Sequence, residues 1–73
     1  MSLSERAEVA TARIRALLES NRLRDAPDDL LDGLARAVGD LARLRSGSES
    51  DVRAAVQQAE LALETAEEWI GQH

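Results

Sequence analysis

Apolar residues recur every three or four positions in three stretches of this 73-residue chain, with polar residues between them. That spacing places the apolar side chains of each stretch on one face of an α-helix. We therefore predict helices over about 3–24, 27–46 and 49–71. The apolar faces consist of Leu3, Ala7, Ala10, Ile14 and Leu17 in the first helix, Leu30, Leu31, Leu34, Ala37, Val38 and Leu41 in the second, and Val52, Val56, Ala59, Leu63, Ala66 and Ile70 in the third.

Residues that end or begin helices separate the three stretches. Pro27 cannot continue a preceding helix but fits the first turn of a new one. Gly47 suits the left-handed conformation that ends many helices, and Ser48 can cap the third helix by accepting a backbone hydrogen bond. Because both connections are short, consecutive helices should lie antiparallel. We predict one all-α domain over residues 1–73, an up-down-up three-helix antiparallel bundle. The alternative is that two chains complete a larger bundle as a dimer.

The composition supports the helical prediction and excludes some kinds of site. Thirteen alanines and eleven leucines supply strong helix formers, and Trp69 is the only aromatic residue. There is no cysteine, so neither a disulfide nor a thiolate metal site can form. No apolar run approaches the roughly 20 residues that a membrane-spanning helix requires. We expect a cytoplasmic protein that does not contact the membrane.

Charge is distributed unevenly between the predicted helices. Residues 1–24 contain five arginines and three glutamates, a net charge of +2, whereas residues 48–73 contain one arginine and six acids, a net charge of −5. Charged residues beside an apolar helix face can pair across to a neighbouring helix and set its orientation. We therefore predict ion pairs between the first and third helices, within or between chains; the alternative is that the acids are solvated. The flanking residues are Arg6 and Arg13 on the first helix and Glu60, Glu64 and Glu67 on the third.

A second set of apolar residues lies away from the main helix faces. Val9, Ala16 and Leu23 are seven residues apart on the first helix, and Leu61 lies on the back of the third. A helix that is apolar on two sides often packs against two partners, so we predict self-association, with a dimer favoured. The predicted partner-binding residues are Val9, Ala16, Leu23, Leu61, Glu60, Glu64 and Glu67.

No motif in the sequence indicates a reaction. The only histidine is His73, the last residue of the sequence, and the glutamates of the third helix lack the Glu-x-x-His spacing of di-iron bundles. We therefore predict no enzymatic activity, no cofactor and no metal. The favoured function is a non-enzymatic helical module for protein–protein interaction or oligomerisation, as an accessory or regulatory subunit that binds itself or a larger protein.

The alternative is a small regulatory protein that acts at nucleic acid, either as a DNA-binding three-helix domain or as an acidic nucleic-acid mimic. The net charge of −5 disfavours direct binding, because affinity for phosphates depends on Lys and Arg.

Overall fold

The computed structural model describes residues 2–72, and three α-helices account for most of that range. Helix α1 spans Leu3–Glu19, α2 spans Asp28–Leu44 and α3 spans Glu49–Gln72, with a 3₁₀ turn at Asn21–Leu23 between α1 and α2. The three helices pack together around one core, which confirms the all-α, three-helix prediction.

Contacts between charged side chains show how the helices run. Arg6 pairs with Glu60 and Arg13 pairs with Glu67, so α1 and α3 advance in the same direction. Glu8 near the start of α1 contacts Arg45 at the end of α2, which makes α2 antiparallel to α1. The order is therefore up, down, up, as the short connections predict.

Helices α2 and α3 begin close to where local features of the sequence predict. The Ser48 hydroxyl accepts a hydrogen bond from the Asp51 backbone N–H at 3.2 Å, which confirms the predicted cap of α3. Pro27 directly precedes α2, and Asp28 and Asp29 occupy its first turn, where the helix dipole favours negative charge.

The end of α1 differs from the prediction. The helix stops at Glu19, five residues before the predicted end, because Ser20 adopts an extended conformation. The Ser20 hydroxyl donates to the Leu17 carbonyl at 2.8 Å and accepts from the Arg22 N–H at 3.3 Å. Such local side-chain hydrogen bonds offer the backbone an alternative to the helix. The chain then turns, and the seven-residue spacing from Val9 no longer specifies which way Leu23 faces.

Leu23 is consequently a core residue, only 3% exposed, and its predicted place on an outer apolar stripe is wrong.

The prediction that Gly47 adopts the left-handed conformation is also wrong, because no described glycine has a positive φ. The Gly47 N–H donates to the Leu44 carbonyl at 2.9 Å, and a Cβ at this position would lie 3.2 Å from the same oxygen. Close approach to Leu44, rather than backbone conformation, explains the small residue.

The core is divided unequally among the helices. Helix α3 contributes five buried residues and α2 three, whereas α1 contributes only Ala10 and Ile14. Packing is most extensive between α2 and α3, and least extensive between α1 and α2. Helix α1 therefore rests mainly on α3, and its side toward α2 is incompletely covered.

Candidate functional site

The predicted partner-binding residues occupy different environments in the structure. Val9 and Leu61 are 42% and 56% exposed, Ala16 is also exposed, and Leu23 is buried. Singly exposed apolar residues are common on protein surfaces. Only the first three of these four apolar residues could therefore contact another molecule.

The acidic residues of α3 are partly used within the chain. Glu60 forms two hydrogen bonds with Arg6, from Nη2 to Oε1 at 2.6 Å and from Nε to Oε2 at 3.3 Å. These bonds lower the pKa of the Glu60 carboxyl and raise the pKa of Arg6. Arg13 Nη2 donates to Glu67 Oε1 at 2.5 Å. The predicted pairing of helices one and three is thus confirmed within one chain.

Glu64 differs from its two neighbours on the same side of α3. It is exposed and forms no ion pair within residues 2–72. Two ion pairs within the chain therefore join α1 to α3, and Glu64 lies beside them without an ion-pair partner among the described residues.

A concave surface with an apolar floor lies elsewhere, between α1 and α2. This groove has a volume of about 590 Å³. Its two ends on α1, Leu3 and Arg15, are twelve residues apart, about 18 Å along the helix axis. Apolar side chains form the floor: Leu3, Ala7, Val38, Leu41, Leu44 and Val52.

Short side chains on both walls keep the groove open. On the α1 wall, Ser4, Thr11 and Ala12 line the groove, and on the α2 wall Ala42 does so. These side chains are too short to reach across the gap between two helices. Ala12 and Ala42 are exposed, although each faces an apolar floor.

Most polar groups of the groove are already paired within the chain. The Thr11 hydroxyl donates to the Ala7 carbonyl at 2.8 Å. At one end of the groove Arg45 Nη2 lies 3.3 Å from Glu8 Oε1, and Glu49 pairs with Arg53. No buried side-chain N or O atom of the described chain lacks a hydrogen-bond partner. The groove therefore offers apolar surface rather than a polar ligand site.

Arg15 is the exception among the charged residues of the groove. It is exposed, lines the wall of α1, and forms no ion pair within residues 2–72. A protein that covers this groove would therefore meet one uncompensated positive charge.

This groove was not predicted from the sequence, although a signal was present. On α1, the small residues Ser4 and Thr11 are seven residues apart beside the main apolar face, and on α2 the small residue Ala42 lines the opposite wall. Small residues on facing sides of two helices indicate a gap between them. The seven-residue spacing of Val9, Ala16 and Leu23 indicated instead a binding surface on the outer side of α1.

The described chain shows neither a metal centre nor a membrane span. No three His, Cys, Asp or Glu side chains of residues 2–72 gather as metal ligands. Within the same range no helix is sufficiently long and apolar to cross a bilayer. Comparisons with protein-family models, curated proteins and solved structures find no significant match.

Proposed function

We propose that this chain is a non-enzymatic helical protein–protein interaction module that binds an amphipathic α-helix in the groove between α1 and α2. The observation that supports this proposal most is the shape of the groove. It is elongated, about 18 Å between Leu3 and Arg15, and it runs along two antiparallel helices over an apolar floor. A helix laid there would complete a four-helix bundle.

Helix-in-groove binding draws its affinity from apolar side chains that leave water at positions i, i+3, i+4 and i+7. About three helical turns fit along the groove, so two or three such anchors can reach the floor. The half-buried Val38 and Leu44 would lose their remaining exposure beneath them. This gain is entropic near room temperature and proportional to the apolar area covered.

A small-molecule ligand fits the groove less well. Sites for small molecules combine apolar walls with a few polar groups that orient the ligand. Here the Thr11 hydroxyl and the Glu8 carboxylate are already bonded to other groups of the chain. What the groove offers is length and apolar surface, which favour a helix.

The proposal can be tested with a displayed library of amphipathic helices selected for binding to the purified protein. Selected helices should bind wild type and lose binding to Ala42→Arg, because the new side chain would fill the groove. Ala54→Arg is the matched control, since Ala54 is also an exposed alanine within a helix and lies on α3. Circular dichroism of both variants checks that they fold.

Helices that bind Ala42→Arg as tightly as wild type would refute the groove as the binding site. Loss of binding in Ala54→Arg alone would place the interaction on the back of α3, beside Leu61. That second result would move the site to the residues that the sequence predicted.

A further inference from the structure

Among the described residues that line the groove, Arg15 is the only charged one without an ion pair in the chain. We infer that the helix bound in the groove belongs to a different protein and carries, beside its row of apolar anchors, a carboxylate that pairs with Arg15. This inference rests on the proposed function and names the chemistry of the partner that fills the same groove.

The helices of this chain do not supply the anchors that the groove floor requires. A groove about three turns long takes two or three apolar side chains from one face of one helix. Among the described residues, the large apolar side chains that are exposed are Val9, Leu18 and Leu61. Val9 and Leu18 are nine residues apart, which places them on opposite sides of α1, and Leu61 is the only one of the three on α3. The described chain therefore offers no row of anchors to the groove of a second copy.

The charges along the groove are compensated at one end and not at the other. Near the start of α1, Glu8 pairs with Arg45 at the end of α2. At the same end of the groove, Glu49 pairs with Arg53. Arg15 lies seven residues beyond Glu8 on α1, at the other end. A helix that covers the groove removes water from Arg15, and a charge that loses water without gaining a partner is costly. A carboxylate on the covering helix removes that cost, whereas a lysine there would repel Arg15.

The surroundings of Arg15 strengthen such a pair. Leu18 follows Arg15 by three residues on the same side of α1 and is 40% exposed. A helix that reaches Arg15 would therefore also cover part of Leu18. The carboxylate would then lie between two apolar contacts, one over the groove floor and one over Leu18, where water screens its charge less. The distance from Leu3 to Leu18 is fifteen residues, about 22 Å, so we expect a partner helix of about four turns.

The unequal ends of the groove also determine the direction of the partner helix. An apolar floor alone accepts a helix in either direction. A carboxylate at one end of the anchor row permits only the direction that brings it to Arg15, so the pair contributes specificity more than affinity. Because the chain has a net charge of −5, a helix with many acids would be repelled. A single, correctly placed carboxylate avoids that repulsion.

Selection from a helix library tests the charge of the partner. The probe is a displayed library of amphipathic helices in which the positions that flank the apolar row encode Glu, Gln and Lys equally. Selection on wild type should enrich Glu at one position near an end of the row. Selection on Arg15→Glu should enrich Lys at that position. Arg15 is exposed, so circular dichroism should show that the variant folds like wild type.

Synthetic peptides from the wild-type selection provide the affinities. Fluorescence anisotropy should show binding to Arg15→Glu about tenfold weaker than to wild type. A peptide in which the enriched glutamate is replaced by lysine should regain affinity for Arg15→Glu. Arg36→Glu is the matched control, because Arg36 is also exposed, has no ion pair within residues 2–72 and lies on α2 outside the groove. It should leave binding unchanged.

The outcomes separate this inference from the proposed function. Helices that lose binding to Ala42→Arg but bind Arg15→Glu as tightly as wild type overturn the inference and support the proposed function. An equal loss of binding in Arg36→Glu also overturns it, because the net charge rather than Arg15 would then act. A wild-type dimer in sedimentation equilibrium that Ala42→Arg abolishes overturns it too, since a second copy would fill the groove. Helices that bind Ala42→Arg as tightly as wild type refute the proposed function itself.

Discussion

Replacing Leu23 with alanine measures how much of the fold depends on the 3₁₀ turn after α1. Leu23 is 3% exposed, so nearly all of its side chain leaves water on folding. Full burial of a leucine contributes about 1.5–3 kcal/mol, and the cavity left by truncation adds to the loss. We therefore expect Leu23→Ala to lower the free energy of unfolding by about 2–4 kcal/mol.

This loss is large for so small a protein. A folded chain of 73 residues has a free energy of unfolding of about 4–11 kcal/mol, so the substitution removes a substantial part of it. Urea unfolding followed by far-UV circular dichroism at low micromolar concentration gives the measurement. With a slope of about 1 kcal/mol per molar urea, the midpoint should fall by about 2 M or more.

Leu18→Ala is the matched control, because Leu18 is five residues earlier in the chain but 40% exposed. It leaves no enclosed cavity, so we expect a loss of about 1 kcal/mol or less. Should Leu23→Ala unfold fully even without urea, Leu23→Val provides a milder truncation, with an expected loss of about 1 kcal/mol. If Leu23→Ala costs no more than Leu18→Ala, Leu23 is not in the core and α1 continues past Ser20.

Three further substitutions test separate parts of the structure. Ser20→Ala removes the hydroxyl that caps the 3₁₀ turn and should cost about 1 kcal/mol in urea unfolding; a gain in stability would show that α1 prefers to continue. Arg6 holds the pKa of Glu60 below its ordinary value of 4.5, so this pair stabilises the fold above that value, and its contribution is lost as the pH falls through the lowered pKa. Glu60→Gln should therefore flatten the decline in stability on acidification, and unchanged pH dependence would contradict the pairing. Gly33 has no atom within 4 Å of a Cβ placed on it, so Gly33→Ala should raise the free energy of unfolding by about 0.5–1 kcal/mol in the same assay; a loss would show that another chain packs there.

The sequence was sufficient for features that depend on local chemistry or on a shared helical period. Pro27 and Ser48 act on their own backbone, so the start of each following helix could be predicted. The ion pairs could be predicted because the residues that form them are seven apart on both helices. Once α1 and α3 lie in parallel, the register that joins Arg6 to Glu60 also joins Arg13 to Glu67.

The end of α1 could not be predicted from local chemistry or from the helical period. Serine is only moderately unfavourable within a helix, and the apolar period continues through Ser20 to Leu23. The Ser20 hydrogen bonds end the helix together with the burial of Leu23 between the helices, and that burial depends on the finished packing. The groove could not be predicted in this way either, because a gap between α1 and α2 depends on how all three helices pack together.

The unequal burial of the helices links stability to binding. Helix α1 has two buried residues and is held to α3 partly by exposed ion pairs, each of which contributes little in water. Its uncovered side is the wall of the groove. A helix bound there would bury the side of α1 that the chain itself leaves open, and so would stabilise the folded state by mass action. If a helix binds in the groove as proposed, the weakly packed α1 also forms part of the binding surface, because the apolar floor next to it is exposed for the same reason that α1 contributes little to the core.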